Sequence, residues 1–166
     1  ILAAKSGLNI DDELIRTTAL SLCVELVKKN KGLNEIYNTA KIGIDGTDTK
    51  AQKTGLLLFT VLVKKDQKIN EAIQSVEKRI KSKTPEVQNT TLLLICELVG
   101  KDQSFDELIK KNKIDMIIQA AKDGMQSDDT KINGNALNLF KALVNKFNSS
   151  LTTTPANTKI KIWSKK

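Results

Sequence analysis

The sequence predicts an all-α chain, a superhelix of about four stacked helix pairs. Similar segments recur along it, and their equivalent leucines, Leu20, Leu56, Leu92 and Leu137, are spaced by 36, 36 and 45 residues. Each segment has apolar residues at helical spacing, which indicates an amphipathic helix. Only 2 prolines and 8 glycines occur in 166 residues, which favours helices over the many turns of an all-β fold.

Four segments, 15–29, 51–65, 87–101 and 132–146, align without gaps. Their apolar residues recur at i, i+4, i+7/8 and i+11/12, which describes one wide apolar stripe on a helix. The second position of this pattern always holds a small residue or threonine: Ala19, Gly55, Thr91 and Ala136. We therefore expect a neighbouring helix to come close at that position.

The ends of these helices also repeat. Each helix is preceded by a residue suited to an N-cap: Asp12, Asp48, Thr84 (followed by Pro85) and Asp129. Each segment ends in a lysine, where a cation favours the negative end of the helix dipole: Lys29, Lys65, Lys101 and Lys146. This lysine ladder is interpreted as structural, with a strip that faces a partner as the alternative.

A second helix is predicted in each interval between the segments. Its apolar residues are Leu33, Ile36, Ala40 and Ile44 in one interval and Ile69, Ala72, Ile73, Val76 and Ile80 in the next. The longer last interval predicts two helices, separated by a break at 111–113. A helix pair of this kind needs neighbours to bury both of its apolar faces, which is the logic of a solenoid. The opening residues 1–4 resemble the end of another second helix, so we expect the chain to be part of a longer solenoid.

The charge of the chain favours acidic protein partners. It has 27 Lys plus Arg against 19 Asp plus Glu, a net charge of +8, and only Arg16 and Arg79 are arginines. Lysines act as point charges on acidic surfaces, whereas reading of base edges and stacking on bases depend on arginines and aromatic residues. Aromatic residues make up only 4% of the chain. No specific nucleic-acid partner is therefore expected.

Neither an enzyme nor a cofactor or metal site is expected. The chain has no histidine, and its cysteines, Cys23 and Cys96, lie within apolar helical runs. They are interpreted as core residues in a reducing compartment. The pairs Asp11–Asp12 and Asp128–Asp129 lie where helix caps are needed, which explains them without catalysis. No apolar run reaches the length of a transmembrane segment.

Over residues 1–147 the sequence resembles the armadillo and HEAT superfamily. Residues 108–122 followed by 132–144 are similar to a three-helix armadillo repeat, and the 36-residue repeats are more similar to HEAT. This resemblance implies a non-catalytic scaffold or adaptor that binds proteins. Armadillo proteins that bind nuclear-targeting peptides carry a ladder of asparagines, and the matching column here is Glu25, Val61, Glu97 and Ala142. The ladder is absent, but Glu25 and Glu97 are candidates to face a basic partner, against the alternative of a solvated helix face.

Two narrower resemblances imply narrower functions. Segments 45–52, 81–88 and 127–133 resemble the tubulin-binding turns of TOG domains, which implies a cytoplasmic, microtubule-associated protein that contacts acidic tubulin through Lys50, Lys83 and Lys131. No segment matches the tryptophan that the first TOG turn usually carries. Residues 78–88 and the helix that follows them resemble the VHS domain, which implies an adaptor in membrane trafficking.

The repeat pattern ends at Phe147, which predicts a solenoid over residues 1–147 and a linker and basic tail over 148–166. Within the tail, Ile160 and Ile162 alternate with lysines as in a short strand, next to the single tryptophan, Trp163. The tail is interpreted as a docking strand anchored by Trp163, with a frayed end as the alternative.

Overall fold

The computed structural model describes residues 1–8 and 10–153, with the side chains up to residue 149. The described part of the chain folds into α-helices without strands. The helices are α1 (Leu2–Leu8), α2 (Glu13–Lys28), α3 (Leu33–Asp45), α4 (Thr49–Val63), α5 (Ile69–Arg79), α6 (Pro85–Gly100), α7 (Asp102–Lys110), α8 (Ile114–Met125) and α9 (Thr130–Thr153).

The helices form two layers. The inner helices α2, α4, α6 and α9 contact one another in succession, and each packs on an outer helix, α1, α3, α5 or α8, with α7 inserted before α8. The inner helices run parallel, because the start of one helix lies next to the start of the next, and their ends lie next to each other as well. Lys50 at the start of α4 pairs with Asp11 before α2, and Lys101 after α6 pairs with Asp66 after α4. The predicted α-α superhelix is confirmed.

The predicted helix starts are confirmed with one difference. The carboxylates of Asp12, Asp48 and Asp129 accept backbone N–H groups from the first turns of α2, α4 and α9. Thr84 makes no such bond before α6. There, Pro85 at the first helical position has no N–H to satisfy and has a φ suited to a helix.

Three helices end in the same turn. Asn30, Asp66 and Asn112 have φ of 53°, 57° and 54°, the left-handed conformation that Asn and Asp adopt more readily than most residues. The backbone N–H of the next residue then donates to a carbonyl five residues back, as from Lys31 to Leu26 at 2.8 Å. This Schellman arrangement satisfies carbonyls that the end of a helix would leave unpaired.

Close contact between the two helices of a pair occurs at the small positions, as predicted. A β-carbon added to Gly43 of α3 would lie 2.4 Å from the carbonyl oxygen of Ala51 and 3.3 Å from Cα of Gly55 in α4. In the first and last pairs, a β-carbon added to Gly7 or Gly124 would lie 2.9 Å or 2.7 Å from the β-carbon of Ala19 or Ala136. The helices can pack this closely because a glycine of one helix faces glycine or alanine of the other.

The third pair departs from this pattern because Arg79 occupies the position of those glycines. Its guanidinium donates to the carbonyl oxygens of Ile44 and, at 3.1 Å, of Gly46 at the end of α3. At this position, hydrogen bonds from arginine to the preceding helix pair take the place of close packing within the pair. A cation there also favours the negative end of the α3 dipole.

Ion pairs join successive repeats. In each, a lysine of the later repeat meets a carboxylate of the earlier one: Lys50–Asp11, Lys78–Asp45, Lys101–Asp66, Lys113–Glu77 and Lys146–Asp102. Two members of the predicted lysine ladder, Lys101 and Lys146, are among them, which supports the structural interpretation of the ladder at those positions. The lysine ammonium groups hold the pKa values of Asp11, Asp45 and Asp102 below their ordinary value.

The linker predicted from residue 148 is wrong at its start. Helix α9 continues to Thr153, and Phe147, at the predicted boundary, packs edge-on against Phe105 of α7 with ring centroids 5.7 Å apart. The Ser149 hydroxyl donates to the carbonyl of Asn145, within the helix. The docking strand predicted around Trp163 lies outside the described residues.

Replacing Gly43 by alanine should lower the free energy of unfolding by about 2 kcal/mol, because the new β-carbon meets backbone and cannot be accommodated by a side-chain movement. Gly134 of α9 is the matched control, since nothing lies within 4 Å of a β-carbon added there. Gly134→Ala should raise the same free energy by about 0.5–1 kcal/mol through helix propensity. Urea unfolding followed by circular dichroism measures both, and equal effects would contradict the close packing at Gly43.

The folded chain should become less stable in acid, because protonation of the aspartates breaks the ion pairs between repeats. The folded-state pKa of Asp102 is lowered by its hydrogen bond to Lys146, so the stabilisation is complete above the ordinary pKa of 3.8 and is lost as pH falls through the lower folded value. At pH 7, Asp102→Asn should lower Tm slightly, by less than Gly43→Ala does. At pH 2, where the aspartate of the wild-type chain is protonated, the difference in Tm between wild type and Asp102→Asn should become smaller. Asp128→Asn removes an exposed carboxylate that forms no ion pair within the described residues and should show no such convergence.

Candidate partner-binding surfaces

The three lysines of the predicted tubulin-binding edge lie at the starts of inner helices. Lys50 and Lys131 are in the first turns of α4 and α9, and Lys83 precedes α6. Lys50 pairs with Asp11, whereas Lys83 and Lys131 are exposed and their ammonium groups pair with no carboxylate of the described residues. Acidic residues accompany them in each turn: Asp45 and Asp48 near Lys50, Glu86 near Lys83, and Asp128 and Asp129 near Lys131. This edge is therefore mixed in charge rather than basic.

The column Glu25, Val61, Glu97 and Ala142 lies at equivalent positions of the four inner helices, and all four residues are exposed or half-buried. Because these helices are neighbours, the column forms one strip across them. Glu25 is bonded to Lys28 at 2.7 Å, which holds the pKa of its carboxyl below the ordinary value. Glu97 forms no ion pair with a described residue. One acidic side chain of the strip is thus neutralised locally and the other is open to a partner.

A more strongly basic surface lies at the opposite ends of the inner helices. It includes Lys29 and Lys65 of the predicted lysine ladder, for which a strip that faces a partner was the alternative interpretation. Residues 28–32 and 64–68, at the ends of α2 and α4, contain six lysines and one carboxylate, Asp66, which is paired with Lys101. Four of these lysines are exposed and pair with no described carboxylate: Lys29, Lys31, Lys64 and Lys65. We call these four the basic edge.

The two turns of the basic edge are neighbours in space. Lys68 of the second turn lies over the ring of Tyr37, 4.6 Å from its centroid, and Tyr37 belongs to α3, which begins directly after the first turn. The sequence contains a signal for this surface, because two lysines followed by Asn or Asp, and then a third lysine directly or one residue later, recur at 28–31, 64–68 and 110–113. The exposed Lys111 of the third turn has no ion-pair partner among the described residues either.

A cleft of about 410 Å³, open to solvent, also lies between the first two helix pairs. Its charged side chains are Lys5, Asp11, Arg16, Asp48 and Lys50. Most of these side chains already form ion pairs or bond to the backbone: Asp11 pairs with Lys50 and Arg16, and Asp48 caps α4. The cleft therefore offers a surface for contact rather than a set of unpaired groups converging on one point.

The two cysteines are thiols rather than reactive thiolates. Burial, and to a lesser degree the charge of Glu97, raises the pKa of Cys96 to about 11, and burial also raises the pKa of Cys23. The Cys96 Sγ lies 3.8 Å from the carbonyl oxygen of Asn135 in α9. A thiol with so high a pKa is a poor nucleophile, so Cys96 contributes to packing between α6 and α9.

Two further findings concern the residues with described positions. None of their helices is both long enough and apolar enough to cross a membrane. No three of their Cys, Asp and Glu side chains lie close enough together to hold a metal ion.

No family model matches the sequence, and no curated protein matches it. Among solved structures, a chain described as a designed armadillo repeat protein is similar, with a TM-score of 0.53 and 13% sequence identity. The similarity covers 87% of this chain and 69% of that one. At this identity it concerns the fold alone. The chain has the fold of an armadillo-type α-solenoid.

Proposed function

We propose that the chain is a protein-binding scaffold that recognises an acidic segment of its partner through the basic edge. The observation that carries the proposal is the set of four exposed lysines, Lys29, Lys31, Lys64 and Lys65, on two adjacent turns. Lysines that are already paired, such as Lys101 and Lys146, contribute to the solenoid itself. Unpaired lysines grouped on one edge create a positive potential that attracts an acidic partner.

The chemistry of the edge favours an acidic protein over a nucleic acid. Nucleic-acid surfaces combine positive charge with arginines and aromatic rings that stack on bases. The basic edge has neither, because its one nearby ring, Tyr37, is half-buried, stands edge-on to Phe59 and is covered by Lys68. Lysine ammonium groups act as point charges and offer no flat surface on which a base could stack. They can pair with carboxylate side chains, because such pairing does not require a planar partner.

The test is fluorescence anisotropy with a labelled glutamate-rich peptide at low and high salt. Binding should weaken strongly as salt rises, because the contacts are exposed charges. Lys31→Glu combined with Lys65→Glu should weaken it by about tenfold or more at low salt. A peptide of the same length with glutamine in place of glutamate should not bind.

The matched control is Lys83→Glu combined with Lys131→Glu, which makes the same change in net charge at the other edge. It should change the affinity by about twofold or less, through the general field of the chain. Equal losses in the two double variants would show that only net charge matters. No binding of the glutamate-rich peptide at low salt would contradict the proposal.

Tubulin binding is a second candidate function, favoured by one observation. Lys83 and Lys131 occupy equivalent turns and are exposed without ion pairs among the described residues, as a contact surface for an acidic partner requires. A microtubule-associated role would place the chain in the cytoplasm, a reducing compartment in which Cys23 and Cys96 remain thiols.

Co-sedimentation with microtubules separates this candidate from the first. If the turns before α6 and α9 contact tubulin, Lys83→Glu combined with Lys131→Glu should abolish co-sedimentation while Lys31→Glu combined with Lys65→Glu retains it. The reverse pattern would assign tubulin to the basic edge. Absence of the wild-type chain from the pellet at low salt would remove tubulin as a partner.

A further inference from the structure

Two exposed isoleucines line the cleft between the first two helix pairs. Ile10, in the turn before α2, is 44% exposed, and Ile42 of α3 is 67% exposed. At the equivalent positions of the other helix pairs, 36, 36 and 45 residues apart, the residues are small or polar. Those equivalent to Ile10 are Gly46, Ser82 and Ser127, and those equivalent to Ile42 are Ser6, Lys78 and Asp123. The two isoleucines are therefore not part of the repeat pattern, and the stacking of repeats does not explain them.

The cleft lies where a link between outer helices is missing. At the next junction, Lys78 of α5 pairs with Asp45 of α3 at 2.6 Å, and Arg79 bonds to carbonyl oxygens at the end of α3. At the first junction, α3 has Ile42 and Gly43 at the positions of Lys78 and Arg79, and both residues line the cleft. Neither residue has a side chain that can form an ion pair or a hydrogen bond, so this link cannot form there.

The cleft is internal to the solenoid, because both of its walls belong to described helix pairs. Arg16 lines it from α2, and the Arg16 side chain is only 14% exposed. Cys23 lies two turns later on the same side of α2 and lines a small cavity together with Leu58 of α4. That side of α2 therefore faces the second pair. A further helix pair packed on the other side of the first pair would leave the cleft open.

Within the described residues, one cation of the cleft is free to bind a ligand. Lys50 and Arg16 both pair with Asp11, and Asp48 caps α4. Lys5 is exposed, lines the cleft and pairs with no carboxylate of the described residues. The cleft thus offers an ammonium group beside two exposed apolar side chains. These groups suit a ligand that carries a carboxylate next to an apolar group.

We propose that this cleft binds a segment of a partner protein in which a large apolar residue is next to an acidic one. The apolar side chain packs against Ile10 and Ile42, and the carboxylate pairs with Lys5. A peptide segment fits better than a small molecule, because the cleft is open to solvent and cannot enclose a ligand as a small-molecule site does. The site is separate from the basic edge, which lies at the other ends of the inner helices.

An NMR titration of the isotopically labelled chain tests the proposal. The probe is a peptide of glycine and serine with capped ends and one central leucine–glutamate pair, whose single carboxylate is attracted only weakly to the basic edge. As the peptide concentration rises from micromolar to millimolar, the amide signals of Lys5, Ile10 and Ile42 should shift more than those of residues 28–32 and 64–68. A peptide with serine in place of the leucine should bind about tenfold more weakly. Glutamine in place of the glutamate should weaken binding about threefold.

Two substitutions in the cleft, each with a matched control, identify the contacts. Ile42→Ser introduces the residue type that α1 has at the equivalent position and should weaken binding about tenfold. Ile109→Ser is its control and should leave binding unchanged, since Ile109 is 47% exposed on α7, outside the cleft. Lys5→Gln should remove the preference for glutamate over glutamine in the peptide. Lys122→Gln, at the equivalent position of α8, should keep that preference.

Circular dichroism melting establishes that each variant is folded, and Ile10→Ser is a second variant that should act like Ile42→Ser. A wild-type chain whose cleft signals do not shift at millimolar peptide overturns the proposal, whether or not the glutamate-rich peptide binds the basic edge. Shifts that are confined to residues 28–32 and 64–68, and that Lys31→Glu combined with Lys65→Glu removes, would assign the probe to the basic edge instead. Equal effects of Ile42→Ser and Ile109→Ser would also overturn the cleft as the site.

Discussion

The stacking of each inner helix on the next is the interaction on which the rest of the structure depends. In α4, Leu56 and Leu58 are both fully buried although they lie two residues apart, so the helix is covered on both sides as well as by its outer partner. No helix pair alone can bury so wide an apolar surface, and each repeat depends on its neighbours for it. The ion pairs between repeats follow from this stacking, because they join charges that stacking has already brought together.

Close packing within a pair is the second constraint, and its single exception shows how it acts. Where glycine faces glycine or alanine, the two helices of a pair pack closely, with backbone contact at Gly43 and contact with an alanine β-carbon at Gly7 and Gly124. Where Arg79 stands instead, the outer helix α5 is only 11 residues long and is linked to the preceding pair by the guanidinium. The Arg79 Nε is buried and finds no hydrogen-bond partner in the described structure, a cost that the glycines of the other pairs avoid.

The repeat columns allowed the sequence to predict the helices, the layers and the points of closest approach, since periodic burial leaves a periodic pattern. The ion pairs between repeats could not be predicted. The partner of Lys101 depends on how far one repeat is shifted relative to the next, and the spacing of residues along a single helix gives no information on that shift. The end of α9 escaped prediction because residues 148–153 are rich in Ser, Thr and Asn, whose weak helix propensity is outweighed here by the packing of Phe147 on Phe105. The basic edge was legible in the sequence, but only the pairing of the other lysines singles out the four that remain open.

The basic edge lies on turns at the ends of inner helices, whereas the side chains that join successive repeats lie along the sides of those helices. A partner can therefore bind the edge without disturbing the stacking of the repeats. The two turns are themselves fixed, because the backbone N–H groups of Lys31 and Gln67 donate to the carbonyl oxygens of Leu26 and Leu62. The edge thus presents its four lysines from two fixed turns, and one acidic segment that spans both turns makes its second contact at a high effective concentration.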